Sequence, residues 1–408
     1  MLNKLKKFGP GLLVTAAFIG PGTVTTASVA GANYGFTLLW VIIFSIFATI
    51  ILQEMTSRLG LISRAGLGEA IRTTFKNPIL SILSVILVVA AIAFGNAAFE
   101  TGNIIGAAIG LEALTYISPK LWALLVGMAA FALLASGKYR IIEGVLIAMV
   151  VIMSIVFIIT AIIVRPNISS VLTGVFVPHL PSAALIMAIA LIGTTVVPYN
   201  LFLHSSSVQE KWTESIPPQQ ALAESRTDTV VSISIGGLIT MAIVATAAAA
   251  FFRQGIEIKN AAAMANQLEP LLGPAAKYFF AIGLFAAGMT SAVTAPLAAA
   301  FATSGVLGWK RNLKDWKFRV VWAAIILIGM IFAMLGKSPI TAIVFAQAAN
   351  GILLPLIAIF LLVVMNQRDL LGDYKNKLIA NVLGTIIVIF TAGLGFFQLL
   401  KLFKIISP

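Results

Sequence analysis

The sequence predicts an all-α integral membrane protein of eleven helices, and three observations carry that prediction. Of its 408 residues, 60% are apolar and only 10% charged, against about 25% charged in an ordinary soluble domain. The charges cluster between ten uncharged runs. Two of those runs are interrupted at mid-length by glycine and proline, five helices apart. With a mean hydropathy of +1.04, the chain is neither a soluble globular enzyme nor a disordered segment. There is no cysteine, which removes disulfides, thiolate metal sites and cysteine nucleophiles. His179 and His204 are the only histidines, too few for a histidine-rich zinc site.

A spanning helix needs roughly 17–25 apolar residues. The uncharged run 8–53 holds two, near 9–30 and 37–59, because Gly31-Ala-Asn-Tyr-Gly35 divides it with turn formers. Runs 77–99, 121–137 and 144–164 place the next three near 78–108, 119–136 and 140–164. Run 166–209 opens with Pro166, Asn167, Pro178 and Pro181. Its first part is therefore a connection, and the sixth span lies near 182–204. After the longest polar connection, 205–228 with Pro217-Pro218, come spans near 229–252, 274–304, 318–336, 339–365 and 377–402. Strands are not expected: these runs are too long and too continuously apolar for a barrel. The whole chain reads as one transmembrane domain, with repeat one about 9–164, repeat two about 182–365 and an extra helix about 377–402.

The formal net charge is +13. Of the 27 basic residues, 19 fall on one side of this topology, beginning with Lys4, Lys6 and Lys7, and 8 on the other. The N-terminus is therefore expected in the cytoplasm and, with an odd number of spans, the C-terminus outside. The basic excess serves topology and anionic-lipid contact. The expected partners are the bilayer and a small solute or divalent cation, without nucleic acid. No cofactor is called for, and a monomer in the cell (inner) membrane is expected.

Span 1 is broken at Gly20-Pro21-Gly22-Thr23, and span 6 at Gly193-Thr194-Thr195-Val196-Val197-Pro198-Tyr199. Proline removes a backbone donor and clashes with the turn before it. Backbone groups freed in lipid are tolerated only where they line a cavity or are otherwise satisfied. A pair of breaks five spans apart marks an inverted-repeat transporter, with spans 1–5 related to 6–10 and a solute site at the midplane. No Walker motif is present, which argues against an ATP-driven pump. Glu100 stands without a second acid or nucleophile, so no enzyme is expected.

Several stretches then resemble the NRAMP divalent-metal transporter family: Gly9-Pro-Gly-Leu-Leu, Leu38-Leu-Trp, and Leu52-Gln-Glu-Met-Thr-Ser-Arg-Leu-Gly. So do Ile105-Gly-Ala-Ala-Ile-Gly, Ala286-Ala-Gly, Gln347 with Leu354-Pro355, and Val197-Pro-Tyr-Asn-Leu-Phe-Leu-His-Ser, which is similar to the family's M-P-H-N-L-Y-L-H-S. The resemblance implies a LeuT-like five-plus-five inverted repeat with broken helices 1 and 6, working by alternating access. It implies a divalent cation as solute.

At the site the likeness stops. The family's D-P-G-N becomes Gly20-Pro21-Gly22-Thr23, its methionine Val197, its histidine Tyr199, and its carbonyl-lending alanine Thr194. Its span 8 glutamine becomes Met289, and in D-x-x-E Glu100 keeps the first acid while Asn103 replaces the second. Gln347 survives. The expected substrate-binding residues are Gly20, Gly22, Thr23, Thr194, Val197, Tyr199, Gln347 and Asn350, with Glu100 and Asn103 as a proton or ion relay. Any metal contact falls to Thr23, Thr194 and Gln347. Two solutes fit such a site. One is a hydrated cation such as Mg²⁺ or Mn²⁺, since soft sulfur and anionic oxygen for a dehydrated transition metal are gone. The other is a small carboxylate or amino-acid-like compound facing half-helix N-termini. Without the span 1 acid and the span 6 histidine, proton coupling is expected to be weak or absent.

Glu54 is expected to pair with Arg58 at i,i+4, and Glu224, Arg226 and Asp228 to form a solvated cap of span 7, with an inner gate network as the alternative. Glu100 is read as functional, against a structural role paired with Arg319 or hydrogen-bonded to Asn96.

Overall fold

The computed structural model describes residues 9–115, 117–136, 139–258, 260–309, 314–336 and 338–402. Lys4, Lys6, Lys7, Lys138, Lys259, Lys310, Arg311, Lys337 and Lys404, all part of the charge count, lie outside them. Among the described residues there is no strand.

Each of the eleven expected segments is helical. Span 1 is two helices, Pro10–Phe18 and Pro21–Tyr34, whose axes meet at 55°. Pro21 takes the first helical position, where the missing N–H costs nothing. Span 2 is Leu39–Ser63, followed by the short helix Leu67–Thr74. Glu69 starts that helix by accepting the Gly66 N–H at 3.0 Å. Span 3, Pro78–Thr115, has 38 residues and continues seven past its expected end. Span 4 is Pro119–Ala135 and span 5 Tyr139–Val164. Span 6 is Leu185–Thr195 and Pro198–Lys211, span 7 Pro218–Ala250 and span 8 Ala276–Leu307. Spans 9 to 11 are Trp316–Leu335, Pro339–Met365 and Leu378–Leu402.

The count of eleven membrane crossings is sharper than length and composition support. Among the described residues, eight helices are long and apolar enough to cross a membrane, or up to ten if each bent pair is one span. Pro119–Ala135, with 17 residues, is a shorter apolar helix. The connection expected at 166–181 is also partly helical. Ile168–Phe176 follows span 5 at a bend of 117°. Pro166 ends one helix, and Asn167 starts the next by accepting the Ser170 N–H at 3.1 Å. Proline and asparagine therefore mark a corner between two helices, which a search for charge-free length cannot distinguish from a loop.

The helices sort by burial. In span 6, 94% of the most apolar window is buried, against 28% in spans 3 and 11. Span 8 is 83% buried by the same measure and most residues of both span 1 halves are buried, so spans 1, 6 and 8 form the centre. Ile82, Ile86, Ile331, Phe332, Ile386 and Ile389 present apolar side chains outward, as a lipid-facing surface requires. Small residues let the central helices touch: Gly288 of span 8 lies against the backbone of Ala107 in span 3. Span 1 is held at its start by Asp228 of span 7, which accepts the Gly11 N–H at 2.7 Å and the Gly9 N–H at 3.3 Å. Asp228 is buried, so it caps span 1 instead of forming a solvated cap of its own helix. The carboxylate answers orphan amides at a positive helix end.

Candidate functional site

The two breaks meet. Gly20 is extended, with φ −108° and ψ −173°, between the halves of span 1. Val197, with φ −82° and ψ 121°, precedes Pro198 in span 6. Thr23 and Thr194 share a hydroxyl–hydroxyl hydrogen bond of 2.7 Å across the gap, and Thr23 also donates to the Phe18 carbonyl. Tyr199 donates to the Ala17 carbonyl at 3.4 Å and sets its ring edge-on to Phe99, with centroids 5.3 Å apart. Ser291 of span 8 reaches the same carbonyl at 3.5 Å.

Glycine makes this closeness possible. A Cβ on Gly22 would overlap the Gln347 amide, and one on Gly20 would overlap Ser291 Oγ and lie 3.7 Å from Asn103 Oδ1. Gly193 presses against the Gln347 carbonyl and Gly351. Thr23, Thr194, Tyr199, Gln347, Asn350, Glu100 and Asn103 are all buried. The site is closed to bulk water in this conformation.

Its polar atoms are not all satisfied. Both side-chain atoms of Gln347, Asn350 Nδ2, Asn103 Oδ1, Glu100 Oε1, Asn96 Oδ1 and the hydroxyls of Thr25 and Thr26 have no hydrogen-bond partner. Each such group costs roughly 1–3 kcal/mol when buried, and ordinary interiors leave few of them. Unlike Thr23, Thr25 and Thr26 leave their hydroxyls unpartnered. Thr23 is the one that bonds backbone.

Glu100 accepts from Asn103 Nδ2 at 3.2 Å. It does not bond Asn96, whose amide donates to Ile92 instead. Its methylenes lie against Gly329, ten residues along span 9 from Arg319, or about 15 Å of helix; the alternative ion pair with Arg319 is out of reach. Val197 is buried and supplies no donor atom from its side chain. Asn350 Oδ1 lies against Gly95 of span 3, the helix that also carries Asn96 and Glu100. No group of three or more His, Cys, Asp or Glu side chains able to hold a metal occurs among the described residues.

Sequence reasoning missed Ser291 and Gln53. Ser291 stands in a run of small residues with no distinguishing signal. Gln53 Oε1 accepts from His204 Nδ1, 3.0 Å away, deep in the protein, which ties span 6 to span 2 and leaves His204 Nε2 without a partner. Glu54 pairs with Arg58 at 3.1 Å as expected, but also with Arg226 of span 7 at 3.0 Å. Arg226 thus joins helices, where a solvated cap was expected.

Comparison with known proteins bears on both fold and family. A divalent metal cation transporter from Yersinia enterocolitica is 30% identical over 406 residues, covering 98% of this chain and 96% of that protein. The crystal structure of a manganese transporter from Eremococcus coleocola superposes with a TM-score of 0.80 at 22% identity, covering 97% of this chain and 86% of that one. A transporter of the nucleobase-cation-symport-1 family superposes with a TM-score of 0.58 at 14% identity over 98% and 94% of the two chains. These superpositions give the LeuT-like fold with broken helices 1 and 6. The family model for natural resistance-associated macrophage protein-like sequences matches residues 11–401, and the chain therefore belongs to the Nramp family.

Proposed function

We propose that this Nramp-family protein is a secondary transporter that moves a divalent cation with part of its water shell retained. One observation carries the reading. Gln347 holds an amide with both polar atoms buried and unpartnered against Gly22 at the span 1 break. A solute that supplies those partners removes the penalty. The surrounding donors are neutral oxygens from Thr23, Thr194 and the Ala17 carbonyl. Neutral oxygen suits a hard cation that keeps several waters, as Mg²⁺ does, and gives a soft transition metal no sulfur to prefer. Glu100, bonded to Asn103, supplies the nearest formal charge without standing at either break.

The motion is alternating access: spans 1 and 6, hinged at Gly20 and Val197, rock about a midplane site. Proton coupling is weak or absent, because glycine stands where the family has its acid and Tyr199 where it has a histidine. The protein works as a monomer in the cell membrane, N-terminus cytoplasmic and C-terminus outside, with repeats over about 9–164 and 182–365.

Uptake into proteoliposomes tests this. Saturable Mg²⁺ flux is expected, with Mn²⁺ competing at similar concentrations and no stoichiometric proton entry. Saturable uptake of a small carboxylate or amino acid, with no divalent flux, would replace the cation by the organic solute that the helix N-termini at Pro21 and Pro198 also suit. Proton entry tied to substrate and lost in Glu100→Gln would overturn the coupling claim.

A further inference from the structure

Far from the breaks, a cavity of about 630 Å³ opens where span 2 meets span 11 and the connection that follows span 10. Arg58, Arg226, Lys375 and Lys377 line it against Glu54 and Asp373, a balance of two positive charges. Glu54 is already engaged by Arg58 and Arg226. Lys375 and Lys377 make no ion pair among the described residues. Arg58 is 7% exposed. Its terminal nitrogens reach the Tyr374 carbonyl at 2.6 Å, Asn376 Oδ1 at 2.8 Å and Glu54. Its Nε–H has no partner. A buried guanidinium donor left over beside two unpaired ammonium groups asks for an anion.

The rest of the lining is of another kind. Ile50, Ile51, Ile379 and Leu383 form an apolar wall, and Ile379 and Leu383 are 74% and 40% exposed. They stand in the first turns of span 11, directly after the charged connection that ends at Lys377. The cavity also lies among the loops that hold most of the basic residues. An inorganic anion has no use for that wall. A molecule with an anionic phosphate at one end and hydrocarbon at the other matches both halves.

We propose that this cavity binds one anionic phospholipid, its phosphate against Lys375, Lys377 and the Arg58 Nε–H, and an acyl chain along Ile379 and Leu383. The lipid braces the seam between spans 2 and 11. The claim is independent of the transported solute, so its failure leaves the transport proposal standing.

Full-length protein purified in a neutral detergent is titrated with phosphatidylglycerol, phosphatidylcholine or inorganic phosphate. Thermal stability and bound lipid by native mass spectrometry are the readouts. Phosphatidylglycerol is expected to raise the melting temperature and to be retained as one molecule per protein, with phosphatidylcholine and phosphate ineffective. In Lys375→Gln and Lys377→Gln, each exposed and outside the breaks, binding is expected to weaken about fivefold per lysine. Equal stabilisation by phosphatidylcholine overturns the headgroup assignment. Equal stabilisation by inorganic phosphate overturns the lipid. Unchanged phosphatidylglycerol binding in the double variant overturns the site.

Discussion

The two broken spans solve the same problem with opposite materials. Span 1 breaks at glycines, bends by 55°, and lets side chains of other helices fill the space its own residues leave: Ser291 against Gly20 and Gln347 against Gly22. Span 6 breaks at Val197-Pro198 but remains one 30-residue span by length and composition. It brings its own side chains to the gap, Thr194 to Thr23 and Tyr199 to Ala17. One break is a backbone surface and the other a set of side chains. Substitutions should therefore be tolerated differently at the two, and ranking them tests the contrast.

The largest effect is expected at Gly22. In Gly22→Ala the new methyl overlaps the Gln347 amide, which must turn away from the break to admit it. Overpacking a dense core costs about 1–3 kcal/mol, and here it also displaces the proposed ligand group. Proteoliposome uptake should fall at least about a hundredfold while circular dichroism stays helical. Near wild-type uptake would mean that the span 1 break is not the backbone surface described here.

The next effect tests why the acid of the family cannot simply be put back. In Gly20→Asp the side chain runs into Ser291 Oγ, so the single variant should neither transport nor bind Mn²⁺. Adding Ser291→Ala removes the hydroxyl and leaves only Ser291 Cβ, 3.1 Å from the new Cβ, to give way. The double variant should bind Mn²⁺ more tightly than either single one, by isothermal calorimetry, because an anionic oxygen is restored to the neutral set. Equal Mn²⁺ binding by Gly20→Asp alone would show that Ser291 does not guard the position.

Below that comes Asp228→Asn at the start of span 1. The amide replaces a charged acceptor of the Gly9 and Gly11 amides with a neutral one that can keep one bond. A charge-assisted bond exceeds a neutral one by about 1 kcal/mol, so a lower melting temperature with a modest change in uptake is expected. An unchanged melting temperature would remove Asp228 from the anchoring of span 1.

Much of this arrangement was legible in the sequence, and the unread part has a common physical character. Helices show themselves by uncharged length, and breaks by Gly20-Pro21-Gly22 and Val197-Pro198, because proline and glycine act on the backbone wherever they stand. The replaced donors, such as Val197 for a sulfur ligand, were legible because a resemblance gave them something to be compared with. Ser291 was not, because a serine among alanines acquires meaning only when a distant helix brings Gly20 against it. Asp228 and Arg226 were misread for the same reason: a charge beside a helix start looks solvated until spans 1 and 2 pack over it. The bend at Pro166-Asn167 was taken for a loop because a nine-residue helix is shorter than any span.

The smallest effect is expected at Tyr199→Phe, and it separates ring from hydroxyl on the span 6 side. The ring remains edge-on to Phe99, and such pairs are worth roughly 0.5–1.5 kcal/mol beyond the area they bury. The hydroxyl contributes one bond of 3.4 Å to Ala17, toward the long end of useful geometry. The Ala17 carbonyl keeps Ser291 as a second donor, so no acceptor is orphaned. The loss should stay within about 1 kcal/mol, read as a small drop in melting temperature and an uptake change of less than about fivefold. Tyr199→Ala, which removes the ring as well, should lose several times more. If Tyr199→Phe were as damaging as Gly22→Ala, the hydroxyl would be touching the solute itself, and Tyr199 would join Thr194 as a second span 6 ligand.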